Sequence, residues 1–164
     1  MTKPGSAPIH AACRNGRIAC LIVLLDHGID PNVPTADDLG FTPVMYCCMA
    51  GHVKCLALLL DRGADLELKD GNGRSVVHTA CGVGQSKCLQ LLIARGATVN
   101  AKDLGDKTPL DYARQLGHSE CVDLLLEHNA LGQNAEGLPA MSEATKVRLR
   151  VSEYLFALTC HVIP

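Results

Sequence analysis

The sequence has no tryptophan, only two phenylalanines and three tyrosines in 164 residues. A core made by such a chain cannot rest on large rings. It must be built from Leu, Ile, Val, Ala and Cys, small side chains that suit closely stacked helices. A basic excess is also missing: 15 Lys and Arg stand against 17 Asp and Glu, a formal net charge of -2. Proteins that hold nucleic acid through its phosphates carry a marked positive balance, so nucleic acid is not an expected partner. The longest apolar runs, such as Cys20–Leu25, are far shorter than the ~20 residues of a membrane helix. No membrane partner is expected either.

Other motifs are absent. Met1 to Pro8 hold no apolar stretch of signal-peptide type. The nine cysteines are an odd number, so they cannot all pair within one chain, and no C-x-x-C spacing occurs. Together these points suggest a reducing compartment, the cytosol, the nucleus or both, with free thiols. Gly82-Val83-Gly84 lies between two helical patterns rather than after a strand, so it is no phosphate loop. No cofactor is expected.

What the sequence does contain is a repeat. Gly16, Gly51, Gly84 and Gly117 are 35, 33 and 33 residues apart by subtraction. Pro8, Pro43, Val76 and Pro109 keep the same intervals, as do Gly28, Gly63, Gly96 and Asn129. Columns that hold register four times indicate a solenoid. Within a unit, Ala7-Pro8, Thr42-Pro43, Ser75-Val76 or Thr108-Pro109 opens a short helix, with Ser or Thr capping and Pro in the first turn. The first glycine column reverses the chain. A second helix follows, with apolar residues at helical spacing, as in Ile18, Leu21, Ile22, Leu24 and Leu25. It closes at the second glycine column, and a polar turn such as Asp70-Gly71-Asn72-Gly73 leads onward.

Pro8-Ile9-His10-Ala11-Ala12, Thr42-Pro43-Val44 and Thr108-Pro109-Leu110 resemble the opening signature of the ankyrin repeat. Gly51-His52 and Gly117-His118, then Gly63-Ala64 and Gly96-Ala97, continue the likeness. The resemblance spans roughly Gly5 to Ala130. It implies an all-α solenoid of stacked helix-turn-helix units with β-hairpin loops, and a role in gripping another protein. The expected division is a minimal N-terminal cap at 1–6, and four repeats over 7–130 (about 7–35, 36–69, 70–102 and 103–130). A linker at 131–138 and a C-terminal helix at 139–164 follow. Val76 replaces the Pro of repeat three. Met45 and Asp111 replace the signature His of repeats two and four. Asp106 stands where Gly5, Gly40 and Gly73 stand, and Val33 to Leu39 form a longer loop. Leu24, Asp30 and Asn32 resemble the site of asparaginyl hydroxylases, with Pro31 where an aliphatic residue is usual.

Two cysteine columns run through the repeats: Cys13, Cys48 and Cys81, and Cys20, Cys55, Cys88 and Cys121. A metal or redox role is one reading, and small buried hydrophobes are the other. Equivalent residues of stacked helices lie roughly 8–10 Å apart, whereas thiolates sharing zinc sit at Zn–S of about 2.3 Å. One column therefore cannot enclose a metal. His78 and Cys81 make an i, i+3 pair, but catalysis also needs an orienting group. The resemblance makes His10 and His78 structural, tying a helix start to its neighbour. No catalytic residue and no metal ligand is expected.

By register, the expected partner-binding surface carries Asp38, Leu39, Phe41, Tyr46 and Met49. Repeat three adds Lys69, Asn72, Arg74 and Val83, and repeat four adds Lys102, Leu104, Lys107, Tyr112, Gln115 and Leu116. Tyr46 and Tyr112 are expected to be partly exposed. Phe41, Tyr46, Met49 and Arg74 form the expected hot spot, since aromatic and Arg anchors dominate interfaces. Phe41 and Tyr46 could instead pack locally. Asp37 and Asp38 lie toward one end, while Lys69, Arg74, Lys102 and Lys107 lie toward the other, a field suited to an acidic segment with an apolar anchor. In the tail, Ala144, Val147, Val151, Leu155 and Leu158 recur at helical steps, though Val147 to Val151 also alternate as a strand would. The tail could cap repeat four, dock a partner or begin a further domain.

The reading is a monomeric scaffold or adaptor that binds a partner protein through the concave ankyrin groove. A regulatory or inhibitory subunit of one enzyme, or an interaction module of a larger assembly, would use the same groove. A Cys/His metal or redox protein is the rival from another class.

Overall fold

The repeated pattern becomes four helix pairs. A computed structural model of the chain describes residues 7–128. In it α1 (Pro8–Arg14) precedes α2 (Ile18–Asp26), and α3 (Pro43–Ala50) precedes α4 (Val53–Asp61). Then α5 (Val76–Gly82) precedes α6 (Ser86–Ala94), and α7 (Pro109–Leu116) precedes α8 (Ser119–Glu127). The expected cap at 1–6, Asn129 and everything after it lie outside the described residues.

Three of the four first helices, α1, α5 and α7, start where the third residue reaches back. Nδ1 of His10 accepts the Ala7 N–H at 3.0 Å, and Nδ1 of His78 accepts the Ser75 N–H at 3.1 Å. Oδ2 of Asp111 accepts the Thr108 N–H at 2.8 Å. This is half of a capping box, and it satisfies a backbone donor that the helix leaves orphaned. Asp111 thus does the work of the histidine it replaces. Met45 cannot, and is instead a fully buried apolar residue. A hydroxyl cap on every first helix was too simple an expectation. Thr108 Oγ1 accepts the Asp111 N–H at 3.3 Å, while Thr42 makes no side-chain cap bond and Ala7 has no hydroxyl to offer.

The second nitrogen of each histidine crosses to the following turn. Nε2 of His10 lies 2.8 Å from the Val33 carbonyl, and Nε2 of His78 lies 3.0 Å from that of Lys107. With Nδ1 accepting, Nε2 carries the proton and donates. The helices then stop at Gly16, Gly51, Gly84 and Gly117, all with positive φ.

First helices stack in the order α1, α3, α5, α7, and second helices in the order α2, α4, α6, α8. The buried columns follow the repeat. Ile9, Val44, Val77 and Leu110 are each at most 1% exposed, and Leu59, Leu92 and Leu125 are 0% exposed. Burying a Leu completely contributes roughly 1.5–3 kcal/mol, so the fold is held by neighbour contacts repeated along the stack.

The connecting turns are hairpin-shaped, but no strand occurs among the described residues. Asp70 N–H donates to the Arg74 carbonyl at 2.9 Å, and Asp103 N–H to that of Lys107 at 3.0 Å. Neighbouring tips are joined as well: Gly71 N–H donates to Leu39 O at 2.9 Å, and Leu104 N–H to Asn72 O at 3.0 Å. Asn32 joins this series, its Oδ1 accepting the Asp65 N–H at 2.7 Å.

Candidate protein-binding surface

The first helices and the turns before them share one face, and a cleft of about 220 Å³ opens there between α3, α5 and α7. Phe41, Met49, Arg74, Tyr112 and Leu116, all expected from register, line it. Phe41, Arg74 and Tyr112 are held by traceable contacts. Phe41 N–H donates to Thr35 Oγ1 at 2.9 Å, and the Phe41 ring meets the Tyr46 ring edge-on at 5.9 Å. The Arg74 guanidinium lies 5.9 Å from the Phe41 ring centre and bonds to Asp70 Oδ2 through Nε at 2.8 Å and Nη2 at 2.7 Å. Tyr112 Oη donates to Asp103 Oδ2 at 2.7 Å, and its ring meets that of His78 edge-on at 5.8 Å.

Behind these residues Asp37, Asp70 and Asp103 recur at 33-residue intervals, a turn-acceptor column in which Asp37 is read from the sequence only for its charge and Asp70 only as part of a turn. Asp70 Oδ1 accepts the N–H groups of Asn72 and Arg74, both at 2.9 Å. Asp103 Oδ1 accepts those of Gly105 and Lys107 at 2.8 and 2.9 Å. These are Asx-type turns, in which a short side chain substitutes for a backbone acceptor. Burial works against the Asp103 carboxylate, but the bonds from Tyr112 Oη, Lys107 N–H and Gly105 N–H outweigh it and hold its pKa below the ordinary range. The same bond to Asp103 pushes the Tyr112 phenol up.

Other expected surface residues lie outside the cleft. Asp38, Leu39, Asn72 and Leu104 occupy exposed turns, with Leu104 81% exposed. Tyr46 is a correction: it is only 8% exposed, packed between the rings of His10 and Phe41 and under the Arg14 guanidinium at 5.9 Å. Local packing is therefore what Tyr46 does.

The lopsided charge needs correcting too. Arg74 is paired with Asp70, and Lys102 Nζ lies 3.6 Å from Asp106. Lys69 Nζ donates to the Lys102 carbonyl, and Lys107 Nζ donates to Gln115 Oε1 while standing 5.6 Å from the Tyr112 ring centre. The cationic end of the surface is thus carried by Lys69 and Lys107.

Val83, also expected from register, lines the cleft, together with His78, Thr79 and Gly82. Of these last three, Gly82 had a usable signal in the register. The column six residues after Pro8 reads Arg14, Met49, Gly82 and Gln115, so a side chain is missing at one place only.

A family model described as "Ankyrin repeats (3 copies)" matches residues 1–70 and 63–136. The chain belongs to the ankyrin-repeat family. No curated protein matches it. The ankyrin repeat is in general a protein-interaction module and a non-catalytic fold, in which stacked units offer one extended surface. No described helix of this ankyrin-repeat chain is long and apolar enough to cross a membrane.

The cysteines behave as parts of that stack. The two columns meet across repeats, where the Cys88 thiol neighbours that of Cys48 and the Cys121 thiol neighbours that of Cys81. The Cys13 thiol likewise neighbours that of Cys47. These neighbouring thiols, together with burial, push those of Cys47, Cys48 and Cys81 well above the ordinary value. Among the described residues no group of three or more His, Cys, Asp or Glu is placed to hold a metal ion. Cys20 alone of its column is exposed, because no described repeat precedes it.

A larger hollow, about 950 Å³, lies at that same end and is lined by residues including Pro8, Ala11, Asn15, Cys20 and Val23. It is the counterpart of the face that every later repeat buries against its predecessor. The inner cleft is the better candidate, since it joins three repeats and mixes rings with fixed cations.

Proposed function

We propose that this chain is a scaffold or adaptor that grips a partner protein through the face formed by its first helices and turns. One observation carries the reading: Phe41, Met49, Arg74, Tyr112 and Leu116, drawn from three repeats, line a single cleft. Met49 and Leu116 are 40% and 53% exposed there. Exposed apolar side chains beside pinned aromatic and cationic ones are the usual make-up of an interface centre. Asp38, Leu39, Lys69, Asn72, Lys102, Leu104, Lys107 and Gln115 would form the surrounding rim.

The partner in this reading is a protein, and the chain acts as a monomer without chemistry of its own. A net charge of -2 supports a protein rather than a nucleic acid. Free thiols at all eight described cysteines support a cytosolic or nuclear setting. The test is a photo-reactive residue introduced at Phe41 or Met49, followed by identification of what it captures in cell extract. One dominant protein partner is expected. Capture of nothing at either position contradicts the reading.

A further inference from the structure

The cleft has a floor because one side chain is missing. A Cβ placed on Gly82 would have no heavy atom within 4 Å, although Gly82 closes a helix and its column carries Met49 one repeat earlier and Gln115 one repeat later. The polar groups around this opening are largely engaged. Both nitrogens of His78 are bonded, as are Nε and Nη2 of Arg74. An occupant would gain little from a polar group at its tip. The open walls are Phe41, Met49, Val83, Tyr112 and Leu116. A cavity of ~150 Å³ with apolar walls accepts a benzene, so the 220 Å³ here accommodates one side chain of Leu, Met or Phe size.

The charge beside the opening selects further. Lys107 stands on the ring of Tyr112, a wall residue, and no described carboxylate forms an ion pair with it. Its nearest held partner is the neutral Gln115 amide. The geometry points to a socket centred on Gly82 that takes one large apolar side chain of a partner segment, with a carboxylate nearby in that segment facing Lys107. This deepens the function proposed above and rests on it.

The test uses the full chain and a displayed library of random dodecapeptides as the probe. Enriched peptides are expected to share a Leu, Met or Phe with an Asp or Glu close by. Gly82→Met extends the Met49 column into the opening, and is expected to weaken those peptides at least tenfold without lowering the melting temperature. Lys107→Glu is expected to weaken them several-fold. Peptides that keep their affinity for Gly82→Met, yet lose it on Leu116→Asp, would overturn the socket and leave the cleft as a binding face. Peptides indifferent to all three variants would overturn both. Failure to enrich any peptide over a blank surface also overturns the socket.

Discussion

A Cβ built on Gly84 would lie 2.6 Å from Nδ1 of His118, a residue of the next repeat. Gly84 also has φ +70, in the left-handed region that a Cβ disfavours. The same glycine therefore reverses the chain and admits its neighbour. Gly84→Ala is expected to cost about 1–3 kcal/mol, read by urea denaturation. His118→Ala added to it should recover part of the loss, because contact is removed while φ strain remains. An unchanged midpoint for Gly84→Ala would contradict close stacking at this boundary.

Acid should loosen the fold through two histidines. Burial holds the imidazoles of His10 and His78 below their ordinary value of 6.5, because both are packed with Nδ1 accepting a backbone N–H. Their folded forms take up protons later than their unfolded forms. Their contribution is complete above about pH 6.5 and is lost as pH falls below it toward the folded value. The melting temperature is expected to drop between pH 7 and pH 5, and the drop should be smaller in His78→Gln. An equal drop in that variant would contradict the assignment.

The cysteines should split by position. Among the described ones, Cys20 is exposed and the other seven are buried. In a Cys160→Ser background, a thiol reagent is expected to label one site in the folded protein and eight after unfolding. Prompt labelling of Cys48 or Cys81 would show that the inter-repeat thiol contacts are open.

Phe41 separates packing from recognition. It meets Tyr46 on one side and Arg74 on the other. Truncating an aromatic hot-spot residue often costs about 2 kcal/mol or more in binding. Phe41→Ala is expected to weaken peptides selected on the full chain at least tenfold. Tyr46→Ala should mainly lower the melting temperature, since Tyr46 is buried. Loss of stability without loss of affinity in Phe41→Ala would place Phe41 with Tyr46 in the core.

The sequence made the helix pairs legible because glycine and proline columns fix where chains turn, and those constraints are local. It could not show which columns meet. Cys48 and Cys88 belong to different columns, and only the offset between a first helix and the next repeat's second helix brings them together. Tyr46 was misjudged for a related reason: its exposure depends on His10 and Phe41 closing over it from two repeats. The Asp103 bond to Tyr112 was recoverable in principle, since an Asp six residues before Pro43, Val76 and Pro109 has a mechanism as a turn acceptor. The opening at Gly82 was likewise implicit in one column, but its meaning needed the neighbouring walls.

The most direct measurement places the same photo-reactive side chain at two exposed positions, Leu116 beside the cleft and Gln90 on a second helix. Both proteins are irradiated in cell extract and their adducts compared. If partners are held by the first-helix face, Leu116 gives a discrete protein adduct and Gln90 gives none. An adduct at Gln90 with none at Leu116 would contradict that account.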